Sequence, residues 1–176
     1  LSVDATWFNT NLTNEIIGTY DFATGMAGAA NASGESQRQG LELSATLTPT
    51  EWLQIGGSYT YLDASEQQLA AGLRSRELRR PKNSGALSAQ IAKGPWSAAL
   101  ALAFVGARDD TDFTTFSRVT LPGYTLATLS GSWAVTPGLA LTARIENATD
   151  AKYQDVVGYP TRGRGAFVGA RFNWGQ

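Results

Sequence analysis

The feature that most limits what this chain can become is the rhythm of its connections. Apolar residues recur with period two almost throughout. Trp96, Ala98, Leu100, Leu102 and Phe104 alternate with Ser97, Ala99, Ala101, Ala103 and Val105. Leu53, Ile55, Gly57, Tyr59 and Tyr61 alternate with Gln54, Gly56, Ser58 and Thr60. Side chains on a strand point to opposite faces in turn, so each such segment has one apolar face and one polar or small one. The pattern divides into about eight strands, over 2–20, 29–48, 51–64, 79–93, 96–108, 119–135, 138–149 and 163–174. A bulge is expected in the first near Asn9 to Thr13, where the parity becomes ambiguous. Between strands, very short connections (Thr48-Pro49-Thr50, Lys93-Gly94-Pro95 and Thr136-Pro137-Gly138) alternate with long ones at 21–28, 65–78, 109–118 and 150–162. Ser65 to Leu78 has some helical propensity and is read as loop.

Strict short–long alternation is what an up-and-down transmembrane β-barrel produces, with tight turns at one rim and long loops at the other. No apolar run reaches the ~20 residues of a membrane helix, whereas a membrane strand needs only ~9–11, half of them polar. The aromatics sort accordingly. Trp96, Trp133 and Trp174 sit on the apolar face at the short-turn or C-terminal strand ends, and Tyr59, Tyr61 and Phe104 lie toward the long-loop ends. Two aromatic belts separated by aliphatic residues form the girdles of a barrel at the headgroup level. The opposite face carries Gly56, Ser58, Ser88, Ser97, Ala99, Ala101 and Ser130, which suit a lumen and lack the volume of a sandwich core.

Composition removes other classes. The chain has no Cys and no His, so disulfide frameworks, thiolate metal sites and histidine catalysis are absent. A net charge of −1 leaves no footprint for nucleic acid. No Ser nucleophile or paired-acid constellation accompanies the carboxylates, so an enzyme is not expected. No signal peptide stands at Leu1 to Thr10; the chain opens in strand-like alternation and reads as a mature piece or a fragment.

Several stretches, in order and spacing, resemble the TonB-dependent outer-membrane receptors, closest to their vitamin B12 (cobalamin) receptor branch. They are Gly40-Leu41-Glu42, Ser58 to Ala64, Leu78 to Ser84, Val105 to Phe113, Leu121-Pro122-Gly123-Tyr124, Arg144 to Asp150 with Tyr153, and Gly158-Tyr159 with Gly163-Arg164. Ala148-Thr149 stands where the family commonly has Leu-Phe. Gly169, Phe172 and Trp174 resemble the C-terminal signal read by the barrel-assembly machinery, although Gly175-Gln176 follow the aromatic. The resemblance implies the last eight strands of a 22-stranded barrel. The plug and earlier strands would lie outside residues 1–176, and TonB would be engaged through that missing N-terminal part. It further implies uptake of a scarce ligand, cobalamin first and a ferric siderophore second, in the bacterial outer membrane. Two rival readings are a self-contained eight-stranded barrel (adhesin or enzyme) and a soluble β-sandwich binding module.

Candidate site residues carry two readings each. Asp109, Asp110 and Asp112 have the oxygen ligands a Ca²⁺ takes, or are a solvated loop tip; no other cofactor is expected. Arg79 and Arg80, with Lys82, Arg74 and Arg76, suit lipopolysaccharide phosphates or an anionic ligand, or form a charged band above the apolar belt. Tyr124 points to the lumen by parity, as ligand or plug contact or as filler, and Tyr159 and Arg164 flank the last long loop. Arg144 and Glu146 share the lumen face of one strand, with Arg38 and Glu42 on another, and are expected to pair with the plug or with each other.

Overall fold

The computed structural model describes residues 1–32, 34–67 and 74–174. Among them the strands are β1 (Ser2–Thr13), β2 (Ile16–Asp21), β3 (Met26–Asn31), β4 (Glu35–Thr50), β5 (Leu53–Gln67), β6 (Arg74–Arg76), β7 (Asn83–Lys93), β8 (Trp96–Val105), β9 (Arg108–Asp112), β10 (Ser117–Leu121), β11 (Tyr124–Thr136), β12 (Leu139–Glu146) and β13 (Gly165–Phe172). Eight of them make one antiparallel wall in the order β1-β4-β5-β7-β8-β11-β12-β13, with β6 paired to β5. β1 and β13 end the path and do not pair with each other, so the wall is open. Four shorter strands form two hairpins beyond the wall, β2–β3 and β9–β10.

The register shows why the alternation works. Ala89, Leu100, Leu129, Ile145 and Ala166 lie in one row across five strands. One residue along, Gln90, Ala99, Ser130, Arg144 and Phe167 form the row on the opposite face. Directly paired residues share a face, so each strand's parity is locked to its neighbours. The first face leaves Leu87, Ile91, Leu129, Leu141 and Ile145 exposed. The buried apolar side chains among the described residues are Ala64, Leu121 and Ala127. A soluble sandwich of this length would bury a far larger core. Large apolar side chains held outward on a wall of paired strands instead call for lipid as the solvent.

The aromatics expected at the belts are exposed on the apolar face. Trp96 and Trp133, directly paired on β8 and β11, stack with ring centroids 4.9 Å apart and planes 8° apart. Such a pair contributes about 0.5–1.5 kcal/mol beyond its area. Trp174 lies just past β13 and is exposed. At the other end Tyr59, Tyr61 and Phe104 are exposed on the same face, and the Tyr59 hydroxyl donates to Asn83 Oδ1 at 2.6 Å. Trp7 joins them through the Trp7–Leu41–Tyr61 row.

Several expected boundaries move. The first strand has no bulge: Ser2 to Thr13 pairs residue for residue with Thr46 to Glu35. Its interruption is Asn14, at φ 56°, a left-handed conformation that Asn tolerates. The turn expected at Thr48–Thr50 falls at Glu51–Trp52, and the Leu47/Thr50 register shift absorbs Pro49 in a bulge, where no ladder N–H is needed. The loop expected at 109–118 is largely the β9–β10 hairpin, and the one at 21–28 narrows to the tip of β2–β3. The fourth wall strand begins at Asn83, not Arg79, because Arg79 takes φ 60°. Of the 65–78 segment, 65–67 extend β5 and 74–76 form β6; residues 68–73, with the question of helical propensity there, lie outside the described residues. Gly175-Gln176 lie outside them too.

Candidate functional site

At the long-loop end, ionic and hydrogen-bonded contacts take over from the ladder. Two close backbone approaches bring the loops together there. Gly106 donates its N–H to Asn83 O at 2.8 Å, and a Cβ on Gly106 would stand 2.7 Å from that oxygen. A Cβ on Gly123 would stand 2.8 Å from Val105 O. These contacts give the Val105-Gly106, Asn83-Ser84 and Pro122-Gly123 stretches a common cause: three chain segments pass too closely for side chains.

Asp110 is the centre of this mouth. Its side chain is 0% exposed. Its Oδ1 accepts from Arg79 Nε and from the Thr111 N–H, each at 2.8 Å, and its Oδ2 accepts from the Val157 N–H at 2.9 Å. Burial alone would push this carboxyl up, but the Val157 and Thr111 N–H groups and the Arg79 guanidinium together hold it below its ordinary value. One carboxylate thus ties the β6–β7 connection and the last long loop to β9. Asp109 faces elsewhere, accepting from Arg118 Nε at 3.1 Å and Thr120 Oγ1 at 3.0 Å, while the Arg118 guanidinium also donates to Arg76 O. Asp112 caps its own hairpin turn through the Thr114 N–H at 2.8 Å. The three carboxylates considered as a Ca²⁺ set therefore point to three different partners. No group of three metal-ligating side chains converges among the described residues.

Next to Asp110 stands a second knot. Arg108, 3% exposed, donates from Nη2 to Gln154 O at 2.6 Å and to Asp155 Oδ1 at 2.9 Å. Its Nη1 has no hydrogen-bond partner among the described residues, and the guanidinium lies 5.3 Å from the centroid of the Tyr124 ring, whose π face attracts a cation. The Tyr124 hydroxyl donates to the same Asp155 Oδ1 at 2.7 Å, and its ring packs against Tyr153 at 4.1 Å with a tilt of 31°. A third knot links Arg38 to Glu15 at 2.9 Å and to buried Glu77 at 2.6 Å, with Arg80 3.6 Å from Glu77. Burial, then the nearby Glu77 carboxylate, pushes Glu66 up.

Of the expected site residues, the structure joins Arg79 to Asp110, while Asp109, Arg80 and Tyr124 go to Arg118, Glu77 and Asp155 in neighbouring contacts. Tyr159, 72% exposed, stands out on the last loop, and Arg164 gives its N–H to Asp150 Oδ1 at 2.9 Å. Arg144 pairs with Glu146 at 3.0 Å, whereas Arg38 pairs with Glu15 and Glu77 rather than Glu42. Arg108, Asp155, Gln154, Glu77 and Glu15 are mouth residues that the sequence reading did not single out. Arg108 alone carried a signal, inside the Val105 to Phe113 stretch. The Arg144 to Asp150 stretch also gains a physical account. Asn147, at φ 47°, donates from Nδ2 to Ala151 O at 3.0 Å, and its Oδ1 accepts the Ala151 N–H at 2.9 Å, closing the turn that leaves β12.

Comparison with known proteins agrees with this geometry. The family profile described as TonB dependent receptor-like, beta-barrel matches residues 1–148. The vitamin B12 transporter BtuB of Vibrio cholerae is 28% identical over 164 residues, covering 92% of this chain and 26% of that protein. The metal-pseudopaline receptor CntO of Pseudomonas aeruginosa is 31% identical over 139 residues, covering 73% of this chain and 19% of that protein. The crystal structure of the ferric-catecholate import receptor Fiu from K12 E. coli superposes with a TM-score of 0.76 at 21% identity, covering 97% of this chain and 25% of that one, a likeness of fold. The chain spans about a quarter of the length of the curated relatives it matches. With that profile covering most of an antiparallel wall of eight strands, the chain belongs to the TonB-dependent receptor β-barrel family of the bacterial outer membrane.

Proposed function

We propose that the chain is the last third of the barrel of a receptor that takes up a scarce ligand across the outer membrane with energy delivered through TonB, cobalamin first and a ferric siderophore second. The observation that carries the reading is the pairing of the family match with a mouth of polar groups set on loops joined by ion pairs and hydrogen bonds. Arg80, Tyr159 and Asp155 remain 58%, 72% and 62% exposed there, around a framework fixed by Asp110 and Arg108. The order of ligands follows the B12 transporter, which matches over nearly the whole chain, ahead of the siderophore receptors, which match in fold. In this reading Arg79 and Tyr124 position the mouth, Arg80, Tyr159 and Arg164 face the ligand or lipopolysaccharide phosphates, and Gly169, Phe172 and Trp174 are read by the assembly machinery. TonB acts on parts of the protein outside these residues.

The test is binding by the full-length receptor in detergent. Saturable binding of cyanocobalamin that ferric siderophores do not compete supports the first choice. Binding of a ferric siderophore without cyanocobalamin replaces it with the second. Binding of neither overturns the mouth as a site for these ligands.

A further inference from the structure

On the lipid-facing side of the wall, near the tight turns, the apolar surface is interrupted. The row Lys93, Trp96, Trp133, Leu141 and Ala170 crosses five strands, and two residues along lies the row Ile91, Ala98, Gly131, Ala143 and Val168. The stacked indoles of Trp96 and Trp133 therefore stand beside a floor of Ala98, Gly131 and Ala143. The result is a groove of about 700 Å³, whose lining carries no charged side chain.

The wall itself does not require Gly131. Its backbone is not left-handed, and a Cβ there would meet only Ser97 O, at 3.6 Å, an ordinary contact. Such a glycine weakens a strand and marks a place where another molecule comes close to the backbone. The groove also has one charged end. Lys93 is exposed, adjoins the Gly94-Pro95 turn, and holds its ammonium 5.4 Å from the Trp52 ring centroid. It makes no ion pair among the described residues. At the other end, Ala143 and Val168 stand inside β12 and β13, well away from the turns. The groove thus starts at the rim and deepens across the wall. From the Trp96 strand to the Val168 strand is three strand spacings, about 14 Å. That is close to half of the ~30 Å hydrocarbon core, the depth that one acyl chain fills.

We propose that this groove is a phospholipid site, in which the lipid phosphate rests on Lys93 and one acyl chain lies along Ala98, Gly131 and Ala143 beside the Trp96–Trp133 stack. Charge decides the occupant: one cation at the rim and none along the rest suits a molecule with one anionic head and an uncharged tail. A lysine stem lies along apolar surface while its ammonium reaches headgroup oxygens, and indoles keep to the same level. The site is independent of the ligand that the receptor carries.

Native mass spectrometry of the delipidated full-length receptor, titrated with palmitoyl-oleoyl phosphatidylethanolamine, tests it. The native receptor should take up one lipid ahead of any weaker ones. Gly131→Leu fills the groove and should weaken that first binding about tenfold, the effect of losing roughly two methylene contacts. Ala143→Leu fills it from the neighbouring strand and decides the same point should Gly131→Leu fail to fold. Lys93→Gln should weaken the first binding about fivefold. Binding of palmitoyl-oleoyl glycerol, which has no phosphate, should be unchanged by that substitution. Equal first-lipid binding in the native receptor and the filled variants overturns the site. So does Lys93→Gln if it changes neither lipid or weakens both alike. A native dimer that the filled variants dissociate would replace the lipid with a second copy of the receptor.

Discussion

The wall and the mouth of this molecule are held together by different physics. In the wall, each residue's partner is set by a ladder whose register propagates from one tight turn to the next, and the side chains only decide which face meets lipid. At the mouth, the contacts that fix the loops join residues far apart in sequence: Arg79 to Asp110, Asp110 to Val157, Arg108 to Asp155. A wall of repeated weak terms tolerates the loss of any one cross-strand contact, so long as each face keeps its polarity. A mouth centred on a few buried charges does not, since each uncompensated group leaves its full desolvation cost behind.

The largest expected effect would break the two-faced wall. Leu129→Arg, on the apolar row, should destabilise the folded barrel by about 2–4 kcal/mol near the bilayer midplane, while Ser130→Arg, one residue along, should leave it nearly unchanged. Reversible unfolding of the full-length receptor in lipid vesicles measures both. Equal costs would mean that the faces are misassigned.

Next comes the mouth. Asp110→Ala strands the Thr111 and Val157 N–H groups and should cost about 1–3 kcal/mol locally. Hydrogen exchange should rise at Thr111 and Val157 and stay unchanged at Leu100 and Leu129. Uniform loss of protection would mean that mouth and wall are one cooperative unit.

What was legible in the sequence follows the same division. Parity, turn rims and aromatic belts are local signals, and they gave the eight wall strands and their faces. Trp7 escaped because the adjacent Phe8 is equally bulky; only the pairing of Phe8 with Gly40 assigns Phe8 to the lumen and Trp7 to lipid. Pro49 misplaced a turn because Pro marks bulges as well as turns. The mouth was hidden for a different reason. Asp109, Asp110 and Asp112 stand together in sequence and invite a shared role, yet strand alternation and the hairpin send them to Arg118, Arg79 and Thr114. Nothing local to Gln154 or Asp155 announces Arg108.

A pH titration sharpens the contrast. Because Asp110's folded value is depressed, its contribution is fully present above the unfolded value of about 3.8 and is lost as pH falls through the lower folded value. The Val157 amide resonance should therefore hold its bonded position from pH 7 to about 4 and shift only below, while wall amides stay fixed. A shift at pH 5 to 6 would contradict the assigned hydrogen bonds. The smallest effect belongs to the belt: a double-mutant cycle of Trp96→Ala and Trp133→Ala should give a coupling of about 0.5–1.5 kcal/mol. A coupling of zero would reduce the stacked pair to two independent lipid anchors.

The most direct test of the two-faced wall is a spin-label scan of β8, residues 96 to 105, in the full-length receptor reconstituted in lipid vesicles. Oxygen accessibility should peak at positions 96, 98, 100, 102 and 104 and fall at the positions between, the period-two signature of alternate lipid and lumen exposure. A scan without that alternation, or with its peaks at 97, 99, 101 and 103, would contradict the assignment of faces on which the lumen and the mouth both depend.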